Sequence, residues 1–315
     1  AYPSWDELQY FFERGVQRPD LRNDAPLEQV HWATNRHLDW SELRVFAFDH
    51  RMQLEQLEGA TPEKIGAFKA LCLSAAEKVA AGRPGYGLLC DSRLGRDALY
   101  QAAGTGLWIG RPVELPGSRP LELEPEIGVD FGGLAQWPRD QVVKVLCFCH
   151  PDDDDETWAR HEATVARLYH ACRRNRLEFL LEVIPSKVAA VEDDTTAKVI
   201  QRFYDIGVFP DWWKLEPMLT PAAWQHTIDA IERNDPNTRG IVILGLGESE
   251  EKLAASFAVA ARYPLVKGFA VGRTIFADSA KRWMLGEVSD EDAVSAMAEA
   301  YANLCAIWDK ARGEE

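Results

Sequence analysis

From Leu43 onward, the sequence alternates short apolar runs with longer amphipathic ones, and this alternation restricts the fold more than any other feature. The short runs are rich in β-branched and aromatic residues, which predicts buried strands, and the longer runs predict helices. The predicted strands are Leu43–His50, Tyr86–Asp91, Trp108–Glu114, Val142–His150, Leu177–Ile184, Trp212–Glu216, Gly240–Gly245 and Val266–Gly272. Their nearly continuous apolar character is typical of parallel strands covered on both faces.

Helices are predicted between these strands and after the last one. They cover Pro62–Ala81, Arg96–Ala103, Glu156–Arg174, Asp194–Tyr204, Pro221–Arg233, Glu248–Arg262 and Asp290–Lys310. Thr61 is the expected N-cap of the first long helix, with Pro62 in its first turn. Eight strands alternating with helices in about 270 residues predict a (β/α)8 TIM barrel, which we assign to residues 41–315.

A doubly wound open sheet is the competing architecture. Its phosphate-binding loop, G-x-G-x-x-G after an early strand, is absent from the sequence. The segment Gly245-Leu246-Gly247 comes late in the chain and lacks the third glycine. The barrel is therefore the better fit.

Residues 1–40 do not follow the alternation and are predicted to form an N-terminal arm. Trp5–Arg14 has the pattern of an amphipathic helix, with Ser4 as its N-cap. A polar stretch follows, and then Leu27–Trp40, which contains His31, Trp32 and His37. We expect the arm to pack on the outside or across one end of the barrel, with its tryptophans as packing anchors.

Composition excludes several functions. The formal net charge of -15 argues against binding nucleic acid or an anionic membrane as the main activity, although a local basic pocket remains compatible with it. The six cysteines are scattered in apolar runs, which predicts buried, reduced thiols in a cytoplasmic protein. Neither a signal peptide nor an apolar run of membrane-spanning length is apparent in the sequence.

The sixth predicted strand carries the clearest chemical signal. Pro210 and Pro217 bracket it, and strand alternation places Trp212, Lys214 and Glu216 on one face. A buried lysine is costly unless it is paired or neutral, and an unprotonated buried amine is what Schiff-base chemistry requires. The alternative is a lysine at a strand end that pairs with Glu216 or extends to solvent.

Ionisable residues collect at the carboxyl ends of the predicted strands, where barrel enzymes place their chemistry. They are Asp49, His50, Arg51, Asp91, Glu114, His150, Glu182 and Glu216. Alternation along each strand then selects those that point into the barrel, namely Asp49, Asp91, Lys144, Glu182 and Lys214. In the first strand the same alternation directs Phe46 and Phe48 outward, towards the helices. Two inward lysines among inward carboxylates suit proton transfer.

The loops after strands seven and eight carry a second signal, because barrels commonly bind phosphate there through backbone amides. Gly245 and Gly247 lie in the first of these loops and Gly272 in the second. Arg273 adds a planar guanidinium that suits a phosphate. The alternative is that these glycines serve only the turns.

A metal site is not expected. The acidic run Asp152–Glu156 fits the start of a helix, where carboxylates complement the helix dipole. A metal-dependent barrel would use Asp49, His50, Asp91, Glu114 and His150. No histidine pair has ligand spacing, however, and the inward lysines would repel a cation.

Several of these segments together resemble a known family. They are Phe48-Asp49-His50-Arg51, Leu88-Leu89-Cys90-Asp91, Val143-Lys144-Val145-Leu146, Leu180-Leu181-Glu182, Trp213-Lys214-Leu215-Glu216-Pro217 and Gly272-Arg273. From about Leu43 onward the chain resembles the class I, Schiff-base aldolases of the tagatose-bisphosphate aldolase type. It is most similar to the aldolase-like domain fused behind 5-dehydro-2-deoxygluconokinase in bacterial inositol catabolism.

The resemblance implies a role for each matched residue. Lys214 would form the Schiff base, Lys144 and Glu182 would be the proton-transfer pair, and Asp49 a further acid/base or orienting group. The substrate-binding candidates are Arg51, Asp91, Glu216, Gly245, Gly247, Gly272 and Arg273, with Arg273 as the phosphate ligand. The implied reaction is cleavage of 2-deoxy-5-keto-gluconate 6-phosphate to dihydroxyacetone phosphate and malonate semialdehyde, without metal or organic cofactor.

The resemblance also implies a partner, a sugar kinase that is fused to the chain or separate from it. An excised piece of such a fusion would explain a start at Ala1 without methionine. The chain departs from the aldolases at His50-Arg51-Met52, where they usually have glutamine, arginine and glycine, and in the unmatched segment 111–125. A non-catalytic sugar-phosphate sensor for a kinase and a metal-dependent lyase or isomerase are the alternatives. A homo-oligomer is left open.

Overall fold

Eight parallel strands close into a barrel in chain order, and β8 completes the ring by pairing with β1. The computed structural model describes residues 25–36 and 38–313, without the side chains of residues 25 and 26. The strands are β1 Leu43–Ala47, β2 Tyr86–Leu89, β3 Trp108–Pro112, β4 Gln141–Cys147, β5 Phe179–Val183, β6 Trp212–Leu215, β7 Gly240–Leu244 and β8 Val266–Val271. This confirms the predicted (β/α)8 barrel.

Helices surround the barrel. They are α1 Ala25–Ala33, α2 Met52–Glu55, α3 Pro62–Ala80, α4 Arg96–Ala102, α5 Asp155–Asn175, α6 Thr195–Asp205, α7 Pro221–Asn234, α8 Glu250–Ala260, α9 Arg273–Met284 and α10 Asp290–Arg312. Thr61 caps α3 as predicted, accepting a hydrogen bond from Lys64 N at 3.2 Å. The acidic run begins α5, where Asp154 is the N-cap.

Apart from α1 in the N-terminal arm, two helices were not predicted. The first, α2, is a single turn, and α9 begins directly after β8, where the sequence indicated only a loop. Neither is capped by a side-chain hydrogen bond at its N-terminus, since Arg51 precedes α2 and Gly272 precedes α9. Without a serine, threonine or aspartate cap, the sequence contains no signal for where these helices start.

The barrel interior is a separate apolar cluster inside the strands. Val45 and Ala47 of β1 belong to it, whereas Phe46 and Phe48 pack outside against the helices, as alternation predicts. Trp108 on β3 and Trp212 on β6 meet edge to face near the amino ends of their strands, with ring centroids 6.1 Å apart. These two indoles fill the barrel interior at the amino ends of the strands, so that end of the barrel is packed.

The described part of the N-terminal arm lies at the amino end of β6. Trp32 donates an indole hydrogen bond to Asp211 at 2.6 Å, and Arg36 pairs with the same carboxylate at 2.7 Å. Arg173, from α5, contacts the other oxygen of Asp211 at 2.7 Å. The predicted helix Trp5–Arg14, with Ser4, and His37 lie outside the described residues.

The six cysteines are all free and buried. None of the described helices combines the length and the apolar composition that crossing a bilayer requires.

Closure of the barrel requires a glycine in β8. Gly268 pairs with Leu43 and has φ +150°, and a β-carbon there would overlap the Leu43 carbonyl oxygen. We expect Gly268→Ala to lower the free energy of unfolding by about 2–4 kcal/mol in urea titrations, because strain and overpacking add. The control is Gly286→Ala, which also has a positive φ, +73°, but would place its β-carbon in open space. Equal losses in the two variants would contradict this explanation.

Candidate active site

A cavity of about 310 Å³ lies at the carboxyl ends of the strands. Ala47 of β1 and Ala270 of β8, both members of the interior cluster, form part of its floor. Because these two side chains are small, space remains above them that larger residues would fill. Among the predicted residues, those lining the cavity are Asp49, Arg51, Lys144, Glu182, Lys214, Gly245, Gly247, Gly272 and Arg273.

Lys144 lies at the centre of this site and is surrounded by carboxylates. Its Nζ atom is 2.8 Å from Glu182 Oε2, 3.0 Å from Glu114 Oε1 and 3.3 Å from Asp49 Oδ2. All four side chains are nearly inaccessible to solvent. Burying an ammonium group is costly unless carboxylates pair with it, and three carboxylates pair with this one.

Glu182 connects the two lysines. Its Oε1 atom is 2.8 Å from Lys214 Nζ, while its other oxygen contacts Lys144. Glu182 and Lys214 are paired residues of the adjacent strands β5 and β6, so the barrel register itself brings them together. One carboxylate thus lies between two amines, within proton-transfer distance of each.

Glu114 has a larger role than the sequence indicated. Its Oε1 atom accepts from Lys144 and from Arg51 Nη2 at 2.6 Å, and its Oε2 atom accepts from Leu146 N at 3.0 Å. An antiparallel bridge between Glu114 and Leu123 holds this carboxylate at the start of the excursion after β3. The sequence marked Glu114 as a strand-end residue, but its three partners come from β4 and from the loop after β1.

Arg51 is fixed by the same excursion. It donates to the Glu114 carbonyl at 2.9 Å, and its Nη1 atom lies 3.2 Å from Glu124 Oε1. The segment that the sequence left unmatched therefore supplies two carboxylates that orient Arg51 beside the cavity.

The buried charges keep one another ionised. Burial lowers the pKa of Lys144, but Glu114, Glu182 and Asp49 outweigh this effect and raise it above its ordinary value. Burial raises the pKa of Asp49, but Lys144 and Lys214 outweigh it and hold that pKa well below its ordinary value. The pKa of Glu182 is lowered in the same way by the two lysines, against the effect of burial. Lys144 is therefore a fixed cation, and Asp49 and Glu182 are carboxylates at neutral pH.

The loops after β7 and β8 form the other side of the cavity. Leu246 and Gly247 have positive φ angles, +50° and +76°, and a β-carbon at Gly247 would lie 3.1 Å from Arg273 Cζ. Thr274 ties the loops together by donating to the Glu248 carbonyl at 2.8 Å. Arg273 is the first residue of α9, and within the described residues no carboxylate pairs with it. A free guanidinium and a helix N-terminus thus face the cavity together, which suits an anion.

Asp91 and Glu216, two of the predicted substrate-binding residues, do not line this cavity. Asp91 pairs with Lys69 of α3, which is completely buried, and also accepts from Leu94 N at 2.7 Å. Glu216 accepts from the backbone and the hydroxyl of Ser186. Both carboxylates hold loops in place next to the site. Lys187, an exposed lysine after β5 that the sequence did not single out, does line the cavity.

His150, the other histidine at a strand end, does not line the cavity. Its Nδ1 atom accepts from Asp152 N at 3.2 Å, and its ring contacts the Ala190 carbonyl at 3.0 Å. No group of three or more histidine, cysteine, aspartate or glutamate side chains in the described residues is arranged to hold a metal ion.

Comparison with known proteins gives a family and a fold. A family model described as an uncharacterized protein conserved in bacteria (DUF2090) matches residues 7–312. No curated protein matches the sequence.

Two solved structures are similar to this chain. One is fructose-bisphosphate aldolase from Plasmodium falciparum, in a ternary co-crystal structure with TRAP and a small-molecule inhibitor. It is 16% identical, covers 91% of this chain and 96% of its own, and has a TM-score of 0.64. The other is Cgl0159 from Corynebacterium glutamicum, which is 18% identical, covers 96% of this chain and 97% of its own, and has a TM-score of 0.54. At these identities the likeness establishes a shared barrel fold.

His50 lines the cavity beside Asp49, with its side chain 20% exposed and Nδ1 without a hydrogen-bond partner in the described residues. Burial disfavours the imidazolium and lowers the pKa of His50 from 6.5 to about 4. The unfolded chain therefore binds a proton at a higher pH than the folded chain does. Stability from this residue is present above about pH 6.5 and is lost as the pH falls towards 4.

Between pH 7.5 and pH 5, we expect the native protein to lose about 1–2 kcal/mol more of its free energy of unfolding than His50→Gln loses. Urea titrations at the two pH values measure this difference. His226→Gln, at an exposed histidine on α7, is the control and should lose as much stability as the native protein. Identical losses in the native protein and His50→Gln would show that His50 takes up its proton normally in the folded state.

Proposed function

The chain belongs to the DUF2090 family of uncharacterized bacterial proteins, and we propose that it is a class I aldolase that cleaves a phosphorylated keto sugar acid through a lysine Schiff base. One observation carries this proposal: Glu182 lies between Lys214 and Lys144 on the floor of a cavity whose rim offers an unpaired arginine. Schiff-base cleavage of a sugar phosphate needs an amine, a proton acceptor in contact with it and an anion site within one substrate length.

Lys214 is the amine that attacks the substrate ketone. Before attack it gives up a proton, and Glu182 Oε1, at 2.8 Å, is the nearest acceptor. The carbinolamine then loses water, which takes a proton from the same carboxyl group, and leaves a protonated imine. Lys144 stays charged throughout, so the pocket retains a cation that stabilises Glu182 as a carboxylate.

Cleavage breaks the bond between the carbon next to the imine and the carbinol carbon beyond it. A base removes the hydroxyl proton from that carbinol, the aldehyde leaves, and the bonding electrons move into the imine to give an enamine. Asp49 and Glu182, which line the cavity and contact Lys144, are the proposed bases for this step. Protonation of the enamine at carbon and hydrolysis of the imine then release the ketone product and free Lys214.

The phosphate would bind at the loops after β7 and β8. Arg273 lines the cavity at the first residue of α9, and the glycines at positions 245, 247 and 272 let a phosphate approach the backbone closely. At the other side of the cavity, Arg51 is held by Glu114 and Glu124 and lies near where the acid end of the substrate would lie.

The proposed substrate is 2-deoxy-5-keto-gluconate 6-phosphate, and the products are dihydroxyacetone phosphate and malonate semialdehyde. A ketone next to a phosphorylated carbon, with a hydroxyl two carbons away on the other side, matches the order of the anion site, amine and base in the cavity. A sugar kinase that makes this phosphate ester is the proposed partner, and the reaction consumes no organic cofactor.

A non-catalytic sensor is the rival function, because the same arginine and glycine loops would bind a sugar phosphate without reaction. Lys214 distinguishes the two functions, because it forms a covalent bond with the substrate only in an aldolase.

We expect borohydride reduction in the presence of dihydroxyacetone phosphate to add the mass of the reduced ketone to Lys214, as mapped by peptide mass spectrometry. Lys214→Met should abolish the adduct, and Lys187→Met should keep it, because Lys187 lines the cavity but is exposed. Calorimetry shows whether each protein still binds the ligand. Binding without any adduct would overturn the Schiff-base proposal in favour of the sensor, and an adduct on another lysine would reassign the nucleophile.

Arg273→Gln is expected to weaken binding of dihydroxyacetone phosphate about tenfold or more, since it removes a charge-assisted contact to phosphate. Titration calorimetry measures the dissociation constant. The matched control is Arg282→Gln in the last turn of the same helix, where the side chain is 51% exposed and far along α9 from the cavity. A similar affinity in both variants would remove Arg273 from the anion site.

A further inference from the structure

A second and larger cavity lies at the opposite end of the barrel. Its volume is about 640 Å³, roughly twice that of the cavity at the carboxyl ends. Trp108 and Val142 of the interior cluster line it, whereas Ala47 and Ala270 of the same cluster line the other cavity. The packed interior of the barrel therefore separates the two cavities, and the second one is not part of the proposed active site.

The walls of this cavity are aromatic. Trp32 and Trp40 come from the segment that precedes β1, and Trp108 comes from β3. Arg173 lies over the Trp32 ring at 4.5 Å, which fixes that indole in place. Trp108 is buried, but Trp32 and Trp40 are partly exposed, and two indole surfaces beside one space favour a flat, polarisable ligand, because aromatic rings stack well on one another.

Trp108 has a buried polar atom that no group of the protein satisfies. The residue is 1% exposed, and within the described part of the chain its Nε1 atom has no hydrogen-bond partner. Its six-membered ring lies against Gly87 and Gly110, so Nε1 is on the edge turned away from those glycines. Nε1 is itself closed to solvent, so a molecule in the cavity does not reach it, and Trp108 contributes only the packed end of the cavity.

The charges at this cavity favour an anion, although the whole chain has a net charge of -15. Arg139 and Arg176 line the cavity and are exposed, and their guanidinium groups make no hydrogen bond or ion pair within the described residues. Asp140 is the only unpaired carboxylate among the described lining residues, because Glu178 pairs with Arg239 at 2.7 Å. Two free guanidinium groups against one free carboxylate leave a positive excess.

We propose that this cavity is a second binding site, for a planar aromatic anion. The ring system lies between Trp32 and Trp40, and a carboxylate, sulfonate or phosphate group is held by Arg139 and Arg176. The site does not depend on the proposed aldolase activity.

The test uses the full chain and 8-anilinonaphthalene-1-sulfonate, a planar aromatic anion whose binding both fluorescence and calorimetry report. We expect one molecule per chain, unaffected by saturating dihydroxyacetone phosphate. The double variant Arg139→Gln/Arg176→Gln should weaken binding about tenfold. The charge-matched control is Arg160→Gln/Arg282→Gln, at exposed arginines elsewhere, which should bind normally.

N-phenyl-1-naphthylamine, the same ring system without the sulfonate, separates charge from stacking. It should bind the native protein and the Arg139→Gln/Arg176→Gln variant equally. Absence of one-to-one binding, displacement by dihydroxyacetone phosphate, or an unchanged affinity in the arginine variant would overturn the proposal. Both arginines are exposed, so the arginine variant is expected to fold normally.

Discussion

The buried ammonium of Lys144 imposes the main constraint on this structure. Removing such a group from water costs several kcal/mol unless carboxylates and hydrogen bonds surround it. Asp49, Glu114 and Glu182 supply three carboxylates, from the loop after β1, the excursion after β3 and strand β5. Because one charge needs partners from three elements, the loops at the carboxyl end of the barrel are fixed relative to one another.

The same network of ion pairs connects Lys144 with Arg51 and with Lys214. Glu114 shares its carboxylate between Lys144 and Arg51, and Glu182 shares its own between Lys144 and Lys214. With Glu124 on Arg51, four carboxylates and three basic side chains form a chain of contacts across the cavity floor, so each buried charged group has a partner without a bound ligand. A preorganised floor of paired acids and bases is what proton transfer to and from a Schiff base would require.

The barrel interior explains why the chain has a cavity at each end. At the carboxyl end, Ala47 and Ala270 leave room above the interior cluster, and the lysines and carboxylates occupy its edge. At the amino end, Trp108 and Trp212 close the barrel, and the segment before β1 extends beside them. The middle of the barrel is packed, so the two cavities differ in chemistry: the first is rich in paired charges, and the second is aromatic with free arginines at its mouth.

The sequence alone determined the barrel fold and those residues of the site that lie within the strands. Period-two alternation along short strands identified which side chains point inward, and Lys144, Glu182 and Lys214 are brought together because neighbouring strands in sequence are neighbours in a barrel. Only the tertiary structure decided the rest. Whether Asp91 meets Lys69 behind the strands, and whether Glu114 turns from the excursion towards Lys144, depends on contacts between residues distant in the chain. Strand alternation specifies the direction of a side chain within a strand. These carboxylates lie just beyond the strand ends, so their directions depend on the loop conformation and on the cation with which each buried carboxylate pairs.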